Sequence, residues 1–443
     1  MPVTAGIDVG TSSVKALAVD DDGTVLAQAA VTHGFRTPTP GRLEHDAGKW
    51  QTGTLAALAD LRDQVPRIDA VCVAAMVPSL AAFDEAGEPL TPGLLYGDER
   101  GRTDAGSANP ASSGEARAFW KWIVEQAPDA AGVWPAQAVA NHALLGRPVL
   151  DAATAASLYP LFNGVDWDAS ELTSIGGAVE QAAEVLPLGA AAGEHAGITV
   201  ASGSVDALGE QAVAGATDPG DVLVVLGSTL LVWAVVDEWR DVERLWSIPH
   251  TTPGMFLVGG ASNAGGLFRD LVRRVLGLTA HADDPAADDL DPGDVPIWEP
   301  YPRGERTPLH DPDRRAVLRG LAMTHGPAGI LRAAHEATGF VIRQHLDLAG
   351  IRAGRLVVTG GGSRSDAWVQ AVCDATGIPA DVVAVPEGGA LGAAWVARMA
   401  AGLETDLGSA SRWSAVARRV EPDATWAAAC AARHQQFLNN SGI

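Results

Sequence analysis

Two short stretches of the 443-residue sequence set glycine and hydroxyl side chains between apolar runs that are typical of β-strands. In GIDVGTSSVKALAV, Asp8 stands two residues before Gly10, and hydroxyl residues follow. In VLVVLGSTLLVWAVV the same order recurs around Gly227, but Val225 stands where the first stretch has its acid. Backbone N–H groups in such turns bind anionic oxygens, and carboxylates are preferred ligands of Mg²⁺. The pattern therefore predicts two phosphate-binding hairpins, with a metal-binding acid on the first alone.

A third stretch, VVTGGGSRSD, reads as a strand, a glycine turn at residues 360–362 and a helix from about Asp366. Such a turn lets a ligand approach the backbone closely. Neither the Walker A motif nor G-x-G-x-x-G is present, because none of the three lysines follows the required glycines and the spacing of GGGSRSD differs. With the two hairpins, this turn predicts a site for a nucleoside triphosphate.

The elements that must position these turns follow from the pattern of apolar residues. Strands at Val3–Val9, Val14–Val19 and Val25–Val31 form a predicted antiparallel meander, with DDDG as a hairpin turn. A helix is predicted from Pro327 to Leu348, ended by Gly350. Further helical predictions cover residues 116–146, which read as mainly helical, and the small-residue segment 388–400, to which we assign no direct chemistry.

Segments along nearly the whole chain resemble the FGGY family of carbohydrate kinases, within the wider sugar kinase, actin and heat-shock chaperone fold. The resemblance implies an α/β fold with two ribonuclease-H-like domains (the actin-like ATPase fold) around a central ATP/sugar cleft. Its domains would be a sugar-binding domain at 1–215 that carries the catalytic base and a nucleotide-binding domain at 216–443. The segments are, in chain order, GIDVGTSSVKALAVD, LEHDAGKW, LLYGDERG, GSVDALGEQAVAGATDPGDVLVVLGST, YPRGERTPLHDPDRRAVLRGL, VVTGGGSRSDAWVQAVCDATGIP and PEGGALGAAWVA.

The resemblance also implies roles for single residues. Asp206 would be the general base that takes the proton of the sugar hydroxyl; on the local sequence alone it is equally a helix N-terminal residue. Asp8, together with Asp206, would hold Mg²⁺, largely through water. Lys15 either neutralises phosphate charge or faces solvent. The residues expected at ATP are Gly10, Thr11, Ser12, Lys15, Gly227, Ser228, Thr229, Asn263, Gly265, Gly361, Gly362 and Asp366.

On the substrate side, the resemblance implies contacts from Met76, Val77, Tyr96 and Asp98, besides Asp206. Here the chain departs from the family pattern. Val77 stands where a polar ligand of the sugar is usual, and Ala207 stands where Asn or Gln usually follows the base. Tyr96 begins Tyr-Gly-Asp in place of the commoner Trp-Asn-Asp. We therefore expect retained catalysis with an altered choice of substrate.

The predicted function is ATP-dependent phosphorylation of a hydroxyl on a small sugar or polyol, nearest to pentulose kinases, with ATP and Mg²⁺ as cofactors. Alternatives in the same class are kinases for a tetrulose, a deoxy sugar, a hexulose or a sugar acid. A different class, a non-catalytic ATP-binding regulator, is disfavoured because both acids are retained.

Composition sets limits on partners and compartment. The net charge of −23 argues against nucleic-acid binding, which needs a basic surface. No run approaches 18 apolar residues, and the start has no signal-peptide pattern, so no membrane association is expected. The three cysteines, Cys72, Cys373 and Cys430, lie too far apart in sequence to suggest a disulfide framework or zinc site. A cytoplasmic enzyme, and for its assembly a homodimer, is the expectation.

Overall fold

A computed structural model describes residues 1–39, 41–101, 115–279, 284–285 and 290–441. The chain divides into two compact units. Unit 1 comprises Met1–Val213 together with Glu387–Trp413, and unit 2 comprises Ala214–Pro386 together with Ser414–Ile443.

Twenty-two strands lie in the described residues. They are β1 (Thr4–Val9), β2 (Ser13–Val19), β3 (Val25–Thr32), β4 (Glu44–His45), β5 (Ala70–Ala75), β6 (Ser79–Phe83), β7 (Gly93–Leu95), β8 (Gly132–Pro135), β9 (Val149–Asp151), β10 (Glu184–Leu186), β11 (Ala191–His195), β12 (Ile198–Ala201), β13 (Ser204–Val205), β14 (Asp221–Leu226), β15 (Leu230–Val236), β16 (Trp246–Pro249), β17 (Phe256–Ser262), β18 (Ile297–Glu299), β19 (Val317–Arg319), β20 (Arg355–Thr359), β21 (Ala380–Val383) and β22 (Val416–Val420).

Eleven α-helices accompany these strands in the same part of the chain. They are α1 (Gly48–Gln64), α2 (Glu115–Gln126), α3 (Ala136–Leu145), α4 (Ala152–Ala156), α5 (Ala169–Ser174), α6 (Asp206–Ala214), α7 (Gly266–Val275), α8 (Pro327–Ala349), α9 (Asp366–Thr376), α10 (Gly388–Ala400) and α11 (Ala424–Ser441). No helix among the described residues is both long and apolar enough to span a bilayer.

Unit 1 is built on a sheet with the strand order β11-β12-β5-β1-β2-β3, and β13 also pairs with β5. The meander of β1, β2 and β3 is antiparallel, whereas β5 runs parallel to β1 and β12 runs parallel to β5. The predicted turn between β2 and β3 is confirmed. Asp20 Oδ1 accepts the backbone N–H of Thr24 at 2.9 Å, and Gly23 has a φ of +81°, which favours glycine.

The sheet of unit 2 repeats this arrangement. Its order is β16-β17-β15-β14-β20-β21-β22. Strands β14, β15 and β17 form an antiparallel meander, and β20 and β21 follow as parallel strands. The repeat that the sequence indicated only weakly is therefore present as one topology used twice, and it fits the expected pair of ribonuclease-H-like domains.

The division of the chain differs from the predicted boundary in one segment. Unit 1 ends its first part at Val213, close to the predicted 215, but residues 387–413 return to it. The physical reason is the backbone of β1. A Cβ on Gly6 would lie 1.8 Å from the carbonyl oxygen of Ala390, so α10 packs directly on this strand.

Local predictions elsewhere have mixed outcomes. Helix α8 is confirmed, with Pro327 in its first turn and Gly350 in the left-handed conformation after it. The prediction that residues 116–146 are mainly helical is confirmed by α2 and α3, and the short strand β8 at Gly132–Pro135 lies between them. This strand pairs with β6, and Trp134 stacks on Phe83 with ring centroids 5.0 Å apart. Packing in a small sheet outweighs the local helical pattern here.

Candidate active site

Asp8 lies near the end of β1, opposite Lys15 on β2. Because residues directly opposite on paired strands project from the same face, Lys15 lies on the side of Asp8. Burial raises the pKa of Asp8 to about 6, against the attraction of Lys15, and Glu387 adds to the rise. Lys15 is only half-buried, so both of its predicted environments, phosphate and solvent, stay open.

The carboxylate of Asp8 has an unused acceptor. Its Oδ1 atom is inaccessible to water and has no hydrogen-bond partner among the residues that the structure describes. In those same residues no cluster of three His, Cys, Asp or Glu side chains could enclose a metal ion. The part of the Asp8 side chain that stays exposed suits a cation that keeps most of its water ligands, as Mg²⁺ usually does.

Asp206 is the first residue of α6 and follows β13, which pairs with β5. Burial raises the pKa of its carboxyl to about 7, and the nearby charge of Asp8 contributes to the rise. The backbone N–H of Ala207 donates to Oδ1 at 2.7 Å, and this hydrogen bond opposes the rise in pKa. Asp206 and Asp8 both keep an exposed part, so they remain accessible to a ligand. The structure thus brings the predicted base and the predicted metal residue together in unit 1.

Helix α10 forms a wall beside this pair of acids, and its glycines make that close approach feasible. A Cβ on Gly389 would lie 3.0 Å from Oδ2 of Asp8. A Cβ on Gly392 would lie 2.2 Å from the carbonyl oxygen of Gly209 in α6. The small-residue helix to which the sequence assigned no chemistry therefore packs against both elements that carry the acids.

The first hairpin turn brings predicted phosphate and substrate residues together. The N–H of Gly10 donates to the carbonyl oxygen of Ser13 at 3.1 Å and closes the turn. The Oγ1 atom of Thr11 lies 2.9 Å from the hydroxyl of Tyr96 and 3.8 Å from the sulfur of Met76. Both of these side chains were assigned to the substrate, so Thr11 connects the two predicted subsites.

Asp98 has an internal function that the sequence did not predict. Arg100 binds it in a bidentate manner, with Nε to Oδ1 at 2.8 Å and Nη2 to Oδ2 at 2.7 Å. The backbone N–H groups of Leu43 and Arg100 donate to the same carboxylate. Since these four donors occupy the carboxylate and Asp98 is 1 % exposed, a direct contact with substrate stays a prediction without geometric support. Val77, by contrast, is only half-buried after the end of β5.

The second hairpin turn is braced by the start of α7. The N–H groups of Gly266 and Leu267 donate to the carbonyl oxygens of Gly227 and Ser228 at 2.8 and 3.1 Å. A Cβ on Gly265 would lie 2.5 Å from the backbone nitrogen of Leu230, so this glycine is required for the contact. The effect is to fix the peptide planes of the turn.

Thr229 and Asn263, both assigned to ATP, differ in their environments. The Oγ1 of Thr229 is buried and has no partner within the described part of the chain. Asn263 instead donates through Nδ2 to Gly304 and through its backbone N–H to Glu305, and its Oδ1 accepts from Arg303. Asn263 is therefore engaged within unit 2, whereas Thr229 has an unused hydroxyl at the predicted phosphate turn.

The strand, glycine turn and helix predicted at residues 355–376 are present as β20, a 3₁₀ turn and α9. A Cβ on Gly362 would meet Trp368 at 2.5 Å, so this glycine is needed for packing. A Cβ on Gly361 meets nothing within 4 Å. Asp366 is exposed and pairs with Arg418 at 2.5 Å. The proposed contacts of these three residues with ATP stay predictions.

Comparisons with known proteins agree with this architecture. The chain is 25% identical to the xylulose kinase of Escherichia coli K12 over 408 residues, covering 84% of each protein. It is 24% identical to the gluconokinase of Bacillus subtilis strain 168 over 420 residues, covering 83% of this chain and 82% of the relative. The crystal structure of xylulose kinase from Rhodospirillum rubrum superposes with a TM-score of 0.78 at 25% identity, covering 99% and 98% of the two chains.

The fold is thus the α/β fold of the actin-like two-domain class. The N-terminal domain of the FGGY family of carbohydrate kinases matches residues 3–109, and the C-terminal domain of that family matches residues 222–401. Because these matches cover more than half of the chain, the protein belongs to the FGGY family of carbohydrate kinases. The resemblance inferred from the motifs is confirmed, and so is the prediction that the protein is a carbohydrate kinase.

Gly389 and His45 contact the predicted site, although the sequence pattern did not indicate a function for either residue. Gly389 abuts the carboxylate of Asp8, and His45 bonds the carbonyl oxygen of Thr11 at 2.7 Å. Both lie in segments that carried the family resemblance, PEGGALGAAWVA and LEHDAGKW. Their presence in those segments was the available signal, but which atoms they contact depends on tertiary structure.

Proposed function

We propose that the protein transfers the γ-phosphoryl group of ATP to a hydroxyl of a small sugar or polyol, with Asp206 as general base. The observation that carries this proposal is the pair of Asp206 and Asp8 in unit 1. One carboxyl has a pKa near neutrality, and the other has a buried oxygen without a partner.

Asp206 suits proton transfer at neutral pH. A general base works best when its pKa lies near the operating pH, and burial raises that of Asp206 to about 7. The bond from the N–H of Ala207 to Oδ1 fixes the orientation of the carboxylate at the start of α6. In the proposed reaction, Asp206 accepts the proton of the sugar hydroxyl as that oxygen attacks the phosphorus.

Asp8 is the proposed holder of Mg²⁺, through water ligands. When bound, Mg²⁺ neutralises charge on the phosphate oxygens. Lys15 projects from the same face as Asp8 and supplies a second positive charge on that side. In unit 2, the hydroxyl of Thr229 and the amides of the turn at residues 227–229 are the proposed donors to phosphate oxygens.

Pentulose kinases are the proposed nearest functional relatives, supported by the xylulose kinases among the similar proteins. Val77 and Ala207 cannot hydrogen-bond a sugar hydroxyl through their side chains, so we propose that D-xylulose is a poor substrate. A tetrulose or a deoxy sugar has fewer hydroxyl groups and fits an apolar wall better, and a hexulose is a further alternative. A sugar acid is the second candidate, because gluconokinases are also among the relatives.

A panel of neutral pentuloses, tetruloses, hexuloses, deoxy sugars, polyols and sugar acids, scored by ADP release, tests the proposal. We expect one neutral compound to be phosphorylated well, with Asp206→Asn as the inactive control. Phosphorylation of sugar acids alone would select the second candidate. Tight ATP binding without transfer to any compound would favour the non-catalytic regulator.

We also propose that the enzyme works in the cytoplasm as a homodimer. All three cysteines are free and buried, which suits a reducing compartment. Cell fractionation tests the first statement, and light scattering at several protein concentrations tests the second. A mass equal to one chain at every concentration would contradict the dimer.

A further inference from the structure

The segment LEHDAGKW has no place in the reaction proposed above. It covers β4 and the start of α1, and its histidine and tryptophan bond each other. The indole Nε1 of Trp50 donates to Nδ1 of His45 at 2.8 Å. The other ring nitrogen of His45, Nε2, lies 2.7 Å from the carbonyl oxygen of Thr11. The segment thus reaches the first hairpin turn through a single imidazole.

The tryptophan fixes the tautomer of this imidazole. An indole N–H can only donate, so Nδ1 of His45 must accept and the ring proton must lie on Nε2. His45 therefore donates to Thr11, and the ring is neutral. Burial lowers the pKa of His45 to about 4, which agrees with the neutral form. His45 is 1 % exposed and Trp50 is fully buried.

The neighbouring strand β7 leaves space for the indole of Trp50, because it has a glycine beside that ring. Gly93 on β7 pairs with His45 on β4. A Cβ on Gly93 would lie 2.4 Å from Cη2 of Trp50. The indole therefore occupies the volume that a side chain at this position would take, and it cannot move toward β7.

The bond from His45 determines which way the amide of Ser12 points. In a trans peptide the C=O of one residue and the N–H of the next point in opposite directions. His45 holds the carbonyl of Thr11 toward the protein, so the N–H of Ser12 points away from His45. The backbone N–H of His33 holds the carbonyl of Ser12 at 3.0 Å and so fixes the next peptide of the turn as well.

We propose that His45 is a positioning residue for phosphate binding: by holding the Thr11 carbonyl, it orients the amide of Ser12 toward the anionic ligand. This inference rests on the proposed function of the turn at residues 10–13. The proposal explains two residues of the segment LEHDAGKW. His45 supplies the hydrogen-bond donor to Thr11, and Trp50 determines which tautomer of His45 is present.

Two substitutions with the same amide chemistry separate this function from general packing. In His45→Gln the amide nitrogen reaches about as far from the backbone as Nε2 and can donate to Thr11. In His45→Asn the amide ends near the position of Nδ1 and cannot. Thr54→Val is the matched control, because it removes a buried hydrogen bond to the carbonyl of Trp50 at 2.7 Å without touching the turn.

The measurements are the dissociation constant of a non-hydrolysable ATP analogue with Mg²⁺, without sugar, and the melting temperature of each variant. We expect His45→Asn to weaken nucleotide binding by about tenfold or more, the effect of losing one charge-assisted hydrogen bond. His45→Gln should stay within about threefold of the wild type, and the KM for sugar should change little in both.

Equal weakening in the two variants, or none in either, would overturn the proposal while leaving the kinase function intact. So would a loss in His45→Asn no greater than that in Thr54→Val at equal melting temperature. A wild type that binds no nucleotide would overturn the proposed function itself, and this inference with it. If His45→Asn does not fold, Gly93→Ala, which must displace Trp50, replaces it and should weaken nucleotide binding in the same assay.

Discussion

The two sheets share one topology, yet they support their hairpin turns by different means. In unit 1 the turn at residues 10–13 is held by the imidazole of His45 and the backbone of His33. In unit 2 the turn at residues 227–229 is one residue shorter and is held by two amides at the start of α7. A turn held by helix amides is independent of side chains but needs glycine at the contact. A turn held by a side chain can be altered by single substitutions.

The strands before the turns differ in chemistry as well. Asp8 faces Lys15 across the first hairpin, whereas Val225 faces Leu231 in the equivalent register of the second. One topology therefore holds a charged pair in unit 1 and an apolar pair in unit 2. The duplicated fold therefore supplies two hairpin turns, while the acid before the turn is present in unit 1 and is replaced by Val225 in unit 2.

The largest expected effect comes from removing the base. Asp206→Asn should lower kcat by about 10² to 10⁴, the range for a lost general base, while Mg²⁺·ATP still binds. Steady-state kinetics at saturating sugar and nucleotide titration measure the two quantities. A variant that keeps more than about a third of the wild-type kcat would show that Asp206 is not the base.

Equivalent substitutions in the two hairpins test the asymmetry directly. Asp8→Ala should lower Mg²⁺-dependent turnover by about 10², because a charge next to the transferred group is lost. Val225→Ala should leave the magnesium dependence unchanged and lower only stability, by about 1 kcal/mol or more. Magnesium titrations of both variants decide this. The same magnesium dependence in Asp8→Ala as in the wild type would remove Asp8 from the site.

Each unit also contains an acid whose pKa is raised to about 7 by burial, but only Asp206 is proposed to react. In unit 2, burial raises the pKa of Glu305, while Ser262 and backbone amides of Asn263 and Arg306 donate to it. The folded state therefore favours the neutral acid. Its contribution to stability is complete below about pH 4.5 and is lost as the pH rises through about 7.

Glu305→Gln should remove this dependence, since the amide does not ionise. We expect the wild type to lose up to about 3 kcal/mol relative to Glu305→Gln between pH 5 and pH 8. Denaturant unfolding of both proteins at several pH values measures the difference. A constant difference across this range would mean that Glu305 is already ionised at pH 5.

A smaller effect is expected on the substrate side of unit 1. Val77→His combined with Ala207→Asn should raise kcat/KM for D-xylulose by about tenfold, the contribution of roughly one hydrogen bond to a buried group. The reason is that apolar side chains at these positions leave sugar hydroxyls unpaired. The idea fails if the wild type already uses D-xylulose with kcat/KM above about 10⁴ M⁻¹s⁻¹, within the ordinary enzyme range.

The smallest effect compares two glycines. Gly389→Ala brings a methyl group to within 3.0 Å of the carboxylate of Asp8 and should lower kcat by about threefold, through a shift of that side chain. Gly361→Ala adds a methyl group in open space and should change kcat by less than about 1.5-fold. Parallel kinetics and melting curves measure the two variants. A larger loss in Gly361→Ala would instead show that nucleotide approaches this turn closely.

Local signals in the sequence were sufficient for the hairpins, for α8 and for the family. Glycine and hydroxyl turns between apolar runs, and the Pro327 and Gly350 boundaries of α8, depend on nearby residues. The internal function of Asn263 could not be predicted, because its partner Glu305 lies 42 residues away. Arg100 lies only two residues from Asp98, but the contact of Asp98 with Leu43 spans 55 residues. The return of α10 to unit 1 depends on a contact between Gly6 and Ala390 that no local pattern encodes.

The packing of α10 on β1 affects how unit 1 can fold while the chain is being synthesised. The ribosome completes the last strand of the unit 1 sheet near residue 205, but the helix that covers β1 is synthesised only at residues 388–400. Residues 214–386 of unit 2 must therefore be synthesised before α10 can cover β1. During this interval, the face of β1 that carries Gly6 and Asp8 is open to other partners, so we expect protection by a chaperone to matter most for unit 1.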